Sequence, residues 1–289
     1  MLLSLNEILP KAFKSKYAIP QPDFVNLDLA ASYLKASSKL NSPIILGFGE
    51  EYINVSGSKD LQHLTRVIES LSAEYDIPVV LHLDHGNSYE VCRKAIKAGF
   101  GSVMIDGSSL PYEENLNLTK EVVQMAKKSN VSVEGELGSL KAGKGYDLAK
   151  GSSEVFTEPN AAKEFVEKTK VDALAVSIGN AHGEYTGPVD IDFDLLKRIK
   201  NATQLPLVLH GASGISSSTL QKLSKEGISK VNIFTDFVKG IDSILQEKYQ
   251  NSYNEKEILN IPNLLDEIQN EIFVILERYV TALGSGLKL

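Results

Sequence analysis

The chain has 289 residues, 43% of them hydrophobic and 23% charged, an ordinary globular composition with length enough for a full core. A net charge of -7 speaks against a generally nucleic-acid-binding surface, while leaving room for a local basic pocket that takes a small anion. Cys92 is the single cysteine, which excludes an intrachain disulfide and favours a reduced, cytoplasmic setting, and no apolar stretch of about 18 residues exists to span a membrane.

The opening segment, MLLSLNEILPKAFK, breaks its apolar residues with Asn6, Glu7 and Pro10 and lacks a basic leader, so it does not read as a signal peptide. From there, short runs rich in Val, Ile and Leu alternate with longer amphipathic stretches. Eight strands are expected: YAIPQPDF (17–24), SPIILGFG (42–49), IPVVLHLD (77–84), GSVMIDG (101–107), VSVEGELG (131–138), ALAVSIG (173–179), LPLVLHG (205–211) and KVNIFTD (230–236). Between most of them lie helical patterns such as NLDLAASYLKASSKL and SYEVCRKAIKAG, with apolar residues three and four apart. Continuous apolar runs are the mark of parallel strands covered on both faces. Eight strand-then-helix units predict an α/β fold, a (β/α)8 TIM barrel forming one domain over 1–289; an open, doubly wound sheet is the alternative. Pro20 and Pro22 make the first strand the least regular, because proline cannot donate to a ladder. Beyond the last strand, the helical pattern NIPNLLDEIQNEIFVILERYVTALGSG adds C-terminal helix to the minimal barrel and reads as an oligomerisation element.

In a parallel barrel the C-terminal ends of all strands face one rim, where active sites are built. Here polar residues collect at those ends. Strand three ends at Asp84-His85, strand four at Asp106, strand five at Glu136, and His182 and Gly183 follow strand six. Strand seven ends at His210, and strand eight carries Asn232, Thr235 and Asp236. A single such histidine reads as an ordinary hydrogen-bonded residue. Three at one rim, His85, His182 and His210, read as an open catalytic zinc sphere that polarises a substrate oxygen. His82, which shares the inward parity of Asp84, and His63, in a helical stretch, are left out of it. Asp84 is the candidate acid or base, with orientation of a ligand histidine as its alternative role. Asp106 and Glu136 form a second carboxylate pair that holds a further divalent or monovalent cation, orients the first site, or pairs with lysine. HGASGISSSTLQKL and NIFT stand where barrels often bind phosphate through backbone amides and a helix N-terminus.

Together LHLDHG, GSVMIDGS, VEGELG, NAHGEYTGP, LPLVLHGASG and KVNIFTD resemble the class II, zinc-dependent ketose-bisphosphate aldolases, of fructose- and tagatose-bisphosphate type, over nearly the whole chain. The resemblance implies a (β/α)8 barrel and reversible cleavage of a ketose 1,6-bisphosphate to dihydroxyacetone phosphate and an aldehyde. It further implies zinc on His85, His182 and His210, with Asp84 giving a proton to the aldehyde oxygen. Asp106 and Glu136 match residues of a second metal site, and Gly183, Gly211, Ser213, Asn232 and Thr235 match those that hold dihydroxyacetone phosphate. It implies a small phosphorylated sugar as substrate and a homodimer or homotetramer.

The chain departs from that pattern in several places. Lys144 falls where the family carries a mobile-loop glutamate that moves the carbon-bound proton, with Asp147 the nearby substitute. Gly49 replaces a serine near a substrate phosphate, Phe234 is bulkier than its counterpart, and Lys256 stands where an arginine commonly reaches the distal phosphate. Alternatives left open are an aldolase for a different phosphorylated ketose, a non-catalytic zinc-containing sugar-phosphate-binding paralogue, and a zinc hydrolase on the same barrel.

Overall fold

In the computed structural model of the chain, eight parallel strands and their crossover helices form a (β/α)8 barrel. The structure describes residues 2–53, 60–139, 141–142, 155–185, 187, 189–255 and 258–286. Lys144, Asp147 and Lys256 lie outside them.

The strands are β1 (Ile19–Pro22), β2 (Ile44–Gly49), β3 (Val79–Gly86), β4 (Ser102–Ile105), β5 (Ser132–Leu137), β6 (Ala173–Val176), β7 (Leu207–Leu209) and β8 (Ile228–Ile233). All eight fall on the expected runs. The last begins two residues earlier than expected and stops sooner, because Thr235 and Asp236 open a helix instead of extending it. The ladder runs from β2 through β8 in chain order and returns to β1, with Ile19 opposite Lys230 and Pro22 opposite Ile233. Closure between β1 and β2 is a single bridge, Asp23 to Gly47, plus the Phe24 N–H on the Gly47 carbonyl at 2.9 Å. The prolines explain this seam. The Asp23 N–H points to β8, at Ile233, so the even positions Pro20 and Pro22 would have donated towards β2 and have nothing to donate.

Helix α1 (Leu5–Ser15), which the sequence did not announce, is fixed by a capping box: the Ser4 N–H donates to Glu7 at 2.7 Å. Its Leu5, Leu9 and Ala12 pack under the inward Ile19, Ile45, Val80, Ala173 and Val208, so this helix plugs the N-terminal end of the barrel. The outer layer is α2 (Leu27–Lys39), α3 (Leu61–Ser72), α4 (Tyr89–Ala98), α5 (Tyr112–Ala126), α6 (Pro159–Thr169), α7 (Phe193–Thr203) and α8 (Ser217–Glu226). Asn26, Asp60, Ser88, Glu158, Asp192 and Ser216 cap six of these helices through their side chains.

Two C-terminal helices complete the subunit: α9 (Thr235–Glu255) and α10 (Ile261–Leu283). Much of the apolar stripe read as an oligomer element serves the subunit itself. Ile272, Leu276, Tyr279 and Leu283 of α10 are buried against α2, α8, α9 and β1. Leu245, Tyr249 and Tyr253 on α9, with Ile258, Ile261 and Leu265 beyond it, remain exposed. No helix of the described residues is long and apolar enough to cross a membrane.

Candidate active site

Consecutive residues of a strand face opposite sides, so Asp84 and His85 cannot both face the cleft on a regular β3. A bulge resolves the conflict. Leu83 pairs with Val103 and Gly86 with Ile105, leaving Asp84 and His85 opposite Met104 alone, and His85 takes a left-handed φ of 47°. Both side chains then line one cleft at the C-terminal rim, together with His182, Gly183, His210, Gly211, Ser213, Asn232 and Thr235. Asp106, Glu136 and Asp236 are not part of this lining, although Asp106 and Glu136 gather about His85, and Lys256 lies outside the described residues.

The ligand atoms of His85, His182 and His210 lie within 4.8 Å of one another. His85 Nδ1 is 2.8 Å from Asp106, and His210 Nε2 is 2.9 Å from Glu134. His85 Nε2 and His210 Nδ1 face each other at 3.1 Å, where the proton held by the His85 ring bridges them, and the Asn232 amide stands 3.4 Å from His210 Nδ1. Once that proton is displaced the nitrogens converge on one point, and imidazoles oriented by carboxylates are the donor set that suits zinc. Burial and the neighbouring His85 and His210 hold His182 well below the ordinary imidazole range, and burial likewise lowers His210. For His85, burial pulls down, but Asp84, Asp106 and Glu136 outweigh it and hold the ring well above that range.

A second group, His85, Asp106 and Glu136, also has its ligand atoms within 4.8 Å. Buried Glu136 leaves Oε2 without a hydrogen bond among the described residues. Burial, then Asp106, raises its carboxyl well above the usual range. Neither acid pairs with a lysine among the described residues. The two groups share His85.

Asp84 is buried, and its Oδ1 accepts from Gln21 and Asn232, each at 3.0 Å. Burial opposes its charge, but His85, His210 and Lys230 prevail and hold it well below the usual carboxylate range. Beneath it sits a fully buried ionic cluster: Lys230 contacts Glu134 and Asn232, each at 2.8 Å, and Glu134 steadies His210. Burial resists ionisation of Glu134, yet Lys230 and His210 bring it down to about 2. His82 bonds Ser102 at 2.9 Å inside the barrel and is pushed down to about 3 by burial and Lys230. His63 is exposed on α3.

Sequence reading missed Glu134 and Lys230. The signal was their parity: Glu134 stands two residues from Glu136, and Lys230 two from Asn232, each a charge inside an apolar strand.

Between β7 and α9 the backbone forms a cradle. Gly211 (φ 65°) and Gly214 (φ 83°) are left-handed, as is Gly183 (φ 80°) at the end of the 181–183 segment that packs on Gly211. The Asp236 N–H donates to Ser213 Oγ at 3.1 Å, joining the loop to the start of α9, and Asp236 is held in turn by Tyr279 at 2.6 Å and by Arg278. Tyr185 accepts from the Ala181 N–H at 3.0 Å and donates to the Gly211 carbonyl at 2.7 Å, fixing the His182 segment against β7. Small residues, a free hydroxyl hydrogen and a helix N-terminus form a surface that suits an anion. The Asn232 amide, in contrast, is engaged with Asp84 and Lys230.

The rest of the lining comes from β1, β2 and the end of β8, and its members Asp23, Glu51 and Tyr52 were not singled out from sequence. Asp23 shares the Gln21 amide with Asp84, at 3.1 Å. Burial and Asp84 raise its carboxyl well above the usual range. The Tyr52 ring stands 6.0 Å from Phe234.

Comparison with known proteins places these features in a lineage. The sequence model for "Fructose-bisphosphate aldolase class-II" matches residues 3–288. A fructose-bisphosphate aldolase of Geobacillus stearothermophilus is 37% identical over 264 residues, covering 89% of this chain and 90% of that protein. One from Staphylococcus aureus (strain Mu50 / ATCC 700699) is 40% identical over 237 residues, covering 81% and 82%. Among solved structures, the YdjI aldolase from Escherichia coli K12 superposes with a TM-score of 0.84 at 30% identity, covering 100% of this chain and 99% of that one. A putative fructose-1,6-biphosphate aldolase from Coccidioides immitis gives 0.87 at 29%, covering 97% and 96%.

Proposed function

The chain belongs to the class II fructose-bisphosphate aldolase family and is an aldolase, a carbon–carbon lyase; from that premise we propose that it reversibly cleaves a phosphorylated ketose to dihydroxyacetone phosphate and an aldehyde. Fructose 1,6-bisphosphate and tagatose 1,6-bisphosphate are the first substrates the resemblance suggests. The observation that carries the reading is the juxtaposition of ionised Asp84 with three converging imidazoles, beside a glycine-rich anion cradle.

In this reading His85, His182 and His210 hold a zinc ion, and Asp106 and Glu136 hold or receive a second cation. Zinc supplies Lewis-acid polarisation of the ketose oxygens and offsets charge developing on the dihydroxyacetone half. Gly183, Gly211, Ser213 and Thr235 receive the phosphate of that half, and Asn232 positions Asp84. In the cleavage direction Asp84 accepts the proton of the hydroxyl on the carbon that becomes the aldehyde. The carbon–carbon bond breaks, its electron pair passes to the dihydroxyacetone phosphate carbon, that carbon takes a proton from solvent, and Asp84 releases the proton it accepted to solvent. In condensation Asp84 returns its proton to the aldehyde oxygen. Its carboxyl, held low by His85, His210 and Lys230 despite burial, is in the form the cleavage step needs.

Exposed Tyr249, Tyr253, Ile258, Ile261 and Leu265 support a homodimer or homotetramer built on the C-terminal helices. The deciding experiment for the reaction is exchange of deuterium from solvent into dihydroxyacetone phosphate, followed by NMR. Exchange by wild type that survives Asp84→Asn, while cleavage is lost, is the expected pattern, because Asp84 serves the aldehyde oxygen. No exchange at all would dismiss the aldol reading in favour of binding without turnover.

A further inference from the structure

The two walls of the cleft differ in chemistry. On the β6–β8 side lie left-handed glycines, Ser213 and a helix N-terminus, all suited to a phosphate. The ends of β1, β2 and β8 also present two carboxyl groups, Asp23 and Glu51, and two rings, Tyr52 and Phe234. Among the described residues no lysine or arginine lines the cleft. Lys230 lies beneath it, fully buried and committed to Glu134 and Asn232.

This wall is organised around its acids. A side chain at Gly49 would meet Glu51 Oε2 at 3.0 Å and the Tyr52 ring at 3.1 Å, so the bare glycine makes room for both. A side chain at Gly47 would meet Asp23 Oδ1 at 1.9 Å, so Gly47 is what lets Asp23 reach the cleft. Asp23 shares one amide with Asp84, and a phosphate dianion beside the pair would oppose the charge held on Asp84. Carboxyl groups beside aromatic edges suit hydroxyls and carbon–hydrogen faces instead.

We infer that the aldehyde half of the substrate carries no phosphate, so that the preferred ketose is a 1-phosphate with an uncharged, hydroxylated tail, selected by Asp23, Glu51, Tyr52 and Phe234. The inference rests on the aldolase reading, in which dihydroxyacetone phosphate occupies the β6–β8 wall. It makes Asp23 and Glu51 specificity residues that reject a distal phosphate.

The test is condensation of dihydroxyacetone phosphate with glyceraldehyde or with glyceraldehyde 3-phosphate by the full-length, zinc-loaded protein. Wild type is expected to favour the uncharged aldehyde in kcat/KM by at least about tenfold. The Asp23→Asn/Glu51→Gln variant is expected to move that ratio about tenfold towards the phosphorylated aldehyde, chiefly through its KM. A wild-type preference for glyceraldehyde 3-phosphate, or a ratio unmoved in the variant, overturns the inference. Deuterium exchange into dihydroxyacetone phosphate without condensation of glyceraldehyde also overturns it, leaving the aldolase reading standing. Absence of both exchange and condensation removes the aldolase reading itself.

Discussion

Gly211→Ala tests whether the cleft depends on one close backbone approach. At φ 65°, Gly211 has a conformation that costs an L-residue about 1 kcal/mol. An added Cβ would lie 1.9 Å from the Ala181 carbonyl oxygen, 2.5 Å from its carbon and 3.1 Å from the His182 nitrogen. Ordinary contact therefore requires the 181–182 backbone to move by roughly an ångström, a strain in the range of about 1–3 kcal/mol for overpacking. The total expected loss is about 2–4 kcal/mol. Tyr185 bonds both sides of this approach, so the shift should reach His182 instead of being absorbed in the loop. Zinc affinity should fall by about a hundredfold, the scale of effects seen when a metal ligand loses its support. Urea unfolding of the metal-free variant reads the first quantity, and competition with a chelator reads the second. An unfolding midpoint and zinc affinity both matching wild type would refute the reasoning.

Asp106→Ala should weaken zinc binding by about 10–100-fold by freeing His85 Nδ1, measured by chelator competition. Because the His85 ring is held above the ordinary imidazole range, it carries a proton at neutral pH that zinc must displace, whereas His182 and His210 are already neutral. Affinity should therefore fall as pH drops through and below the raised His85 value, and calorimetry in two buffers should find about one proton released at neutral pH. No release would contradict that assignment. Lys230→Met leaves Glu134 buried without its partner and should cost about 3–5 kcal/mol in denaturant unfolding, partly recovered by adding Glu134→Gln. Cys92, buried and pushed up to about 12, should resist thiol reagents in the native protein at mildly alkaline pH and react only on unfolding.

The barrel was legible because its strands are continuous apolar runs, and their period and spacing leave few other arrangements for β2–β8. The rim was legible for a related reason: a histidine or acid that ends such a run has nowhere to project except the C-terminal mouth. What the sequence could not convey was angular position around the barrel. Glu134 meets His210 across 76 intervening sequence steps, and Asn232 meets Asp84 across 148. Those partnerships depend on which strands face one another across the interior. The bulge at Asp84-His85 was also hidden, since it is a register slip against Met104 and not a composition. The acidic wall escaped notice because Asp23 follows the proline-bearing strand, and Glu51 and Tyr52 sit beyond β2, outside any periodic pattern. Helix α1 was readable in hindsight from Ser4 and Glu7, a capping box ahead of an apolar stripe.

The most direct test of the central claim is triose-phosphate release from a phosphorylated ketose in a coupled assay, comparing metal-stripped protein, zinc-restored protein and zinc-loaded Asp84→Asn. The account predicts cleavage by the zinc-restored protein alone, with the variant binding zinc as wild type does yet falling by about a hundredfold or more in rate. Full activity in the stripped protein, or in Asp84→Asn, would contradict it.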